Sequence, residues 1–363
     1  MSAGEKTRIL YGVHGYGRGH AARAQAVLGE LAEHYELLVL AGDDAFDQLR
    51  GDWPVVRIPT LRYYADRRGR RSALRTIQHN LPGLIDLKLA GPGLQMVAGE
   101  MRRFRPAVVI SDSEGWCHRA ARRLGIPRIS FDHYGVLVHG RVDMPAFHRL
   151  VLWGESLLYR FLTCRPDRVI AAAFFPAEAR RDNVRIVGPI LRAEARRIEP
   201  TVGKHVLAYF SNARANFTPE TERSLRSAGC PVKVYGPARE GRDGNLEFRP
   251  IANEPFLADL ASSRAVVATA GNQLISEAIH FGKPVLAMPE DALEQRLNAR
   301  TVARWRIGME SRPHRLPEGL LREFLSRRDE FAANIAARRR DGLAEAVAAI
   351  RQAVGELSGQ SPP

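Results

Sequence analysis

Short apolar runs recur along this chain, each followed by a turn and then by residues with helical spacing. Arg8–Val13 is such a run and reads as a buried strand. It ends in the loop His14-Gly-Tyr-Gly-Arg-Gly-His20, which passes into a helical pattern over 21–32, and a second strand is predicted at Glu36–Ala41. Strand, glycine loop, helix and strand make a βαβ unit, which implies a parallel sheet. Further strands are predicted at 55–58, 107–111, 128–131, 168–173 and 184–187. Helical spacing from 72 to 103 is interrupted at Pro82-Gly83 and again at Gly91-Pro92-Gly93.

A polar, arginine-rich and aperiodic stretch follows at 190–204 and reads as a linker. A second alternating series then begins, with strands predicted at 206–210, 232–235, 246–248, 265–269 and 284–288 and helices at 219–228, 272–281 and 293–305. Residues 316–356 are helix-forming and amphipathic, and 360–363 read as a disordered end. At about 150 residues per domain, a chain of 363 residues suggests two domains. The expected architecture is α/β, with two Rossmann-like domains facing across a cleft: a first domain at 1–189, the linker, a second domain at 205–330, and a C-terminal helix and tail at 331–363.

Charge adds a question. The chain has 54 basic and 40 acidic residues, a net +14, and only five of the basic residues are lysine. Such a balance suits nucleic acid, an anionic membrane surface or phosphorylated substrates. No zinc-finger spacing or RNA-binding aromatic motif is present, so nucleic acid is not an expected partner. Three cysteines, Cys117, Cys164 and Cys230, are far apart and suggest no disulfide framework. The N-terminus lacks a signal-peptide pattern, and no run approaches the ~20 apolar residues of a membrane span. These features predict a cytoplasmic protein, with a peripheral position on the inner face of the membrane left open.

Chemistry concentrates in two places. In the first, Gly15, Gly17 and Gly19 allow a tight turn at a strand end, and His20 opens the following helix. The glycine spacing is not that of the dinucleotide fingerprint. An imidazole with a pKa near ~6.5 can act as a base at neutral pH when a carboxylate orients it. Asp112, just past an apolar strand, is the best-placed partner, with Glu114 and Asp132 as rivals; alternatively Asp112 caps the next helix. The second place is 265–299: a strand, a turn at Ala270-Gly271, a helix, a Gly-x-Pro break, a second strand and a polar loop into another helix. Amides at the helix start suit an anion. Glu277 can accept from two vicinal hydroxyls, and Glu294 and Gln295 suit a polyhydroxyl ligand.

This second segment resembles the donor-nucleotide motif of GT-B glycosyltransferases, the group of the peptidoglycan N-acetylglucosaminyltransferase and the UDP-glycosyltransferases. Gly271, Glu277, Gly282, Pro284, Pro289, Gln295, Asn298 and Ala299 stand in the order of that motif, and Gly19-His20 is similar to the group's Gly-His loop. The chain departs from the pattern at Ala270, where a first glycine is usual, at Glu294, where Asp or Gln is usual, and after His20, where a proline is common.

The resemblance implies an inverting, metal-independent transfer of a sugar from a UDP-linked donor to an acceptor hydroxyl, without a cofactor. It implies His20 as base, oriented by Asp112. It implies a nucleotide site of Ser211, Asn212, Ile251, Asn253, Gly271, Asn272, Gln273 and Glu277, with Glu294 and Gln295 on the donor sugar, and domain closure that excludes water. The acceptor would fall to the first domain, near Gly15, Gly17 and Gly19 and a basic stretch with Arg62, Arg67 and Arg68. Apolar Leu81, Leu84, Ile85, Leu87 and Leu89 follow that stretch and suit a lipid or lipid-phosphate acceptor or an anionic membrane; a solvated arginine loop is the alternative. A nucleotide-sugar 2-epimerase and a non-catalytic nucleotide-sugar-binding protein share the expected architecture and stay open as readings.

Overall fold

The computed structural model describes residues 6–359, so the predicted disordered end at 360–363 lies outside the described residues. The described residues divide into two compact units: those up to 64, 73–192 and those from 342 onward form the first, and residues 65–72 and 193–341 the second.

The first unit is built on β1 (Arg8–Val13), β2 (Glu36–Ala41), β3 (Val55–Arg57), β4 (Val108–Asp112), β5 (Arg128–Asp132), β7 (Arg168–Ala172) and β9 (Val184–Val187), with β6 (Gly140–Arg141) and β8 (Glu178–Ala179) as a separate small pair. The large sheet is parallel, in the order β3-β2-β1-β4-β5-β7-β9. Its central strands are covered on both faces, which is why they read as continuous apolar runs instead of alternating ones. The sheet grows in opposite directions from β1 and β4, so the chain leaves a crevice at their carboxyl ends, the usual ligand position in such sheets.

The second unit repeats the plan with β10 (Val206–Tyr209), β11 (Val232–Tyr235), β12 (Gly241–Asp243), β13 (Leu246–Arg249), β14 (Ala265–Ala268), β15 (Val285–Ala287) and β16 (Gly308–Glu310). The order is β12-β13-β11-β10-β14-β15-β16, parallel except for the edge strand β12. The crevice here lies at the carboxyl ends of β10 and β14.

Three features differ from the sequence reading. The helix Ala73–Leu89 runs through Pro82 and ends only before Gly91. Proline removes one N–H and crowds the preceding turn; Pro82 is exposed, so the carbonyl it orphans can bond water. The stretch 190–204 is not a bare linker, because Ile190, Leu191 and Ala195 are buried and Ala193–Arg197 is a short helix. The tail helix Leu343–Ser358 is an integral part of the first unit: Leu343, Ala346, Ile350, Ala353 and Val354 join the core that holds Ile9, Tyr11 and Val39.

The described core also buries His118 completely, with no hydrogen-bond partner for either ring nitrogen. Burial, and secondarily Arg128, pulls its pKa down to about 3. The unfolded chain therefore takes up a proton near pH 6.5 that the folded chain refuses, so stability is complete above that pH and declines as pH falls toward 3. The expected decline is at most ~1.4 kcal/mol per pH unit for this group. Thermal melts between pH 7 and pH 4.5 should show a shallower acid slope in His118→Leu than in the unaltered protein; parallel slopes would remove His118 as a contributor.

Candidate functional site

In the first unit, register brings the two expected partners together. Val13 of β1 pairs with Asp112 of β4, and the amide of His14 donates to the Asp112 carbonyl at 3.0 Å. The loop after β1 and the end of β4 therefore leave the sheet side by side. The helix begins at Arg18, earlier than expected, and places Gly19 and His20 in its first turn. Its cap residue, Gly17, has φ +94° and open space around it, a conformation that favours glycine. Gly15 has a packing reason instead: a Cβ there would lie 2.3 Å from Thr60 Oγ1 and 2.5 Å from the Gly42 carbonyl oxygen.

His20 Nδ1 lies 2.8 Å from Asp112 Oδ1. Arg23 approaches the same carboxylate through Nε at 3.0 Å and Nη2 at 2.7 Å. A carboxylate only accepts, so the 2.8 Å contact needs Nδ1–H to donate to Asp112; Arg23 Nη2, 3.1 Å from the same nitrogen, donates to the carboxylate at 2.7 Å instead. The lone pair is then on Nε2. Asp112 has no exposed surface and Arg23 almost none, while His20 keeps about a quarter of its side chain exposed. Burial alone would raise the Asp112 pKa, but Arg23 and His20 outweigh it and hold the carboxyl below its ordinary value. His14 packs edge-on to His20 at 5.1 Å, and burial together with that neighbour lowers its pKa to about 3.

The rival carboxylates are committed elsewhere. Glu114 caps the helix Gly115–Leu124, accepting from the Trp116 and Cys117 amides. Asp132 accepts from the Gly135 amide, Tyr159 and Ser130. The helix cap that Asp112 could have supplied thus belongs to Glu114. Arg23 was not singled out as a site residue, although its i+3 spacing from His20 puts both on one helix face.

In the second unit, Ser211 follows β10, and Gly271 caps the helix Asn272–His280 beyond β14. No side chain fills that cap, and a Cβ at Gly271 would meet nothing within 4 Å, so the helix start faces open space. Asn298 donates to the Ala270 carbonyl at 3.0 Å and braces the turn from behind. Asn272 has a buried Oδ1 with no partner among the described residues. Glu277 is wholly buried one turn further on and accepts from Gln273 Nε2 at 2.7 Å. Gln295 accepts from the Glu290 amide at 2.9 Å, and Glu294 is half-buried beside it. Ile251 and Asn253 stand at the start of the helix Asn253–Ser262, which Lys233, Tyr235 and Arg249 tether through Asp259.

Several expected placements change. The side chains expected in the nucleotide site at 211 and 212 already have protein partners: Ser211 donates to Glu290 at 3.1 Å, and Asn212 donates to the Gly69 carbonyl at 2.6 Å. Arg67 and Arg68 belong to a turn whose backbone is held in the second unit, while Arg62 stays in the first, bound to Asp43 at 2.6 Å. Leu87 is core and not surface. Glu290, which the structure buries, was missed; an acidic residue right after Pro289, at the end of an apolar run, was the available signal. Among the described residues, no group of three or more His, Cys, Asp and Glu is arranged to hold a metal ion.

Two doubly wound α/β sheets of this kind make the GT-B fold. The chain belongs to glycosyl transferase family 1, whose family model matches residues 7–328. It is a glycosyltransferase. Its fold is similar to that of the kitacinnamycin glycotransferase (TM-score 0.71, 17% identity, 96% of this chain and 99% of that one). It is also similar to Arabidopsis thaliana UGT89C1 complexed with UDP-L-rhamnose (0.69, 14%, 98% and 100%) and to MurG of Acinetobacter baumannii (0.61, 15%, 95% and 99%). No curated protein sequence matches the chain.

The buried Arg23–Asp112 pair yields a stability test. Arg23→Met leaves a carboxylate buried without its cation and should cost about 3–5 kcal/mol in chemical denaturation. Adding Asp112→Asn should recover part of that loss, because the remaining group is neutral. Equal stability of the unaltered protein and Arg23→Met would contradict the pairing.

Proposed function

We propose that this enzyme transfers a sugar, with inversion and without a metal ion, from a UDP-linked donor to an acceptor hydroxyl. The observation that carries the reading is His20 Nδ1 held 2.8 Å from a fully buried Asp112, with the opposite ring nitrogen left to act. His20 Nε2 takes the acceptor proton, and Asp112 stabilises the imidazolium that forms. The acceptor oxygen then attacks the anomeric carbon as the bond to the diphosphate breaks. The helix start at Gly271 and Asn272 receives the diphosphate through backbone amides. Main-chain groups at 211–212 add to it, since those side chains are occupied. The 250–253 loop borders the base, Gln273 and Glu277 take the ribose hydroxyls, and Glu294 with Gln295 reads the sugar. A solved relative in fold that carries UDP-L-rhamnose supports the choice of nucleotide, and the family match supports transfer over epimerisation or passive binding.

On the acceptor side, two helices of the first unit support a lipid-linked acceptor taken from an anionic membrane surface by a cytoplasmic, peripheral enzyme. Leu74, Ile77, Leu81, Ile85 and Leu89 make an exposed stripe at helical spacing, with Arg75 and Lys88 exposed on the same helix. Phe147, Leu150, Trp153 and Leu157 make a second exposed stripe on Ala146–Thr163. Apolar stripes beside cations suit the headgroup boundary of an anionic bilayer. No helix among the described residues is long and apolar enough to cross a membrane.

His20→Ala should lower transfer roughly 10²- to 10⁴-fold while UDP still binds. Glu277→Ala should weaken UDP binding first, and EDTA should leave the rate unchanged. Retention of anomeric configuration in the product, read by NMR, would overturn the mechanism. The protein should also sediment with phosphatidylglycerol vesicles and release at high salt, with Leu81→Glu plus Ile85→Glu abolishing the association; binding by neither form would remove the membrane from the picture.

A further inference from the structure

The turn 65–72 is arginine-rich, and its backbone is anchored at the carboxyl edge of the second sheet. Asn212 donates to the Gly69 carbonyl at 2.6 Å and Arg214 to the Arg67 carbonyl at 3.0 Å. Asp66 Oδ1 closes the turn by accepting from the Arg68 amide at 2.8 Å and the Arg70 amide at 2.9 Å, and Ala65 bridges to Arg71. The turn thereby delivers Arg71, whose Nε lies 3.6 Å from Glu290 Oε2. The other Glu290 oxygen accepts from Ser211 at 3.1 Å and from Asn216 at 3.2 Å, and Ser211 also meets Thr269 at 3.1 Å. Thr269 in turn accepts the Gly271 amide on its carbonyl at 2.8 Å. A cation and a buried carboxylate therefore stand beside the helix start assigned to the diphosphate.

A bare carboxylate in that position would repel an anion. The Arg71 guanidinium compensates it, and its planar fork of five donors is wide enough to bridge a carboxylate and a phosphate. About a third of the Arg71 side chain remains exposed, so a ligand can reach it.

We propose that Arg71 is a catalytic residue of the donor site, binding the nucleoside diphosphate and taking up its charge as the sugar leaves. This rests on the nucleotide-sugar reading above. In the step concerned, the bond between the anomeric carbon and the β-phosphate oxygen breaks and its electron pair stays on that oxygen, beside Arg71. The acceptor oxygen bonds to the anomeric carbon, and its proton goes to His20.

Calorimetric titration with UDP and with uridine tests the assignment on the full chain. Arg71→Ala should weaken UDP binding at least ~10-fold, in keeping with loss of a charge-assisted contact, and leave uridine binding unchanged. Arg71→Lys should restore part of the UDP affinity, because it keeps the charge and loses the fork. UDP binding unchanged in Arg71→Ala, or UDP and uridine binding weakened equally, would overturn the assignment alone. Failure of the unaltered protein to bind UDP would overturn the UDP reading, and this assignment with it.

Discussion

A carboxylate with no solvent exposure must be neutralised where it stands, and Asp112 organises the first unit through that requirement. It ends β4, it is bound by Arg23 from the glycine-loop helix, and it orients His20 one turn earlier on the same helix. Strand, loop and helix are thus locked together by one charge. The partly exposed ring of His20 is held by a buried contact, which decides the nitrogen it turns to solvent.

Buried polar groups satisfied by one another also organise the second unit. Parallel strands send every loop that leaves a strand's carboxyl end to one edge, so Ser211, Thr269 and Glu290 arrive together although 79 residues separate the first and last. Their hydrogen bonds are used up on one another. What they leave outward is backbone: an uncapped helix start at Gly271, with Ala270 held from behind by Asn298. A motif that reads as a row of ligand contacts is therefore partly scaffolding. Asn298 and Gln295 hold the turn and the strand end through protein partners, and the methyl of Ala270 is accommodated in the core.

Much of this was legible in the residue pattern. Buried parallel strands are continuous apolar runs, so most strands were found within a residue or two, and the βα turns followed from glycine. What periodicity could not show were the short strands at 241–243 and 308–310, the helix at Asn253–Ser262, and the persistence of helix through an exposed proline. Each depends on neighbours in space: edge pairing for the strands, a buried Asp259 for the helix, solvent access for the proline.

The sequence alone determined the α/β class, the doubling of the plan, and the two places where chemistry gathers, because hydrophobic period and glycine placement are local properties. It also suggested the pairing of His20 with Asp112 from their positions at strand ends. Only the tertiary structure decided which carboxylate among three serves His20, since Glu114 and Asp132 are spent on backbone amides that appear only once their helices start. Only the fold returned the C-terminal helix to the first core, and only the fold attached the arginine turn at 65–72 to the second unit. These outcomes rest on contacts between segments far apart in the chain, which no local pattern encodes.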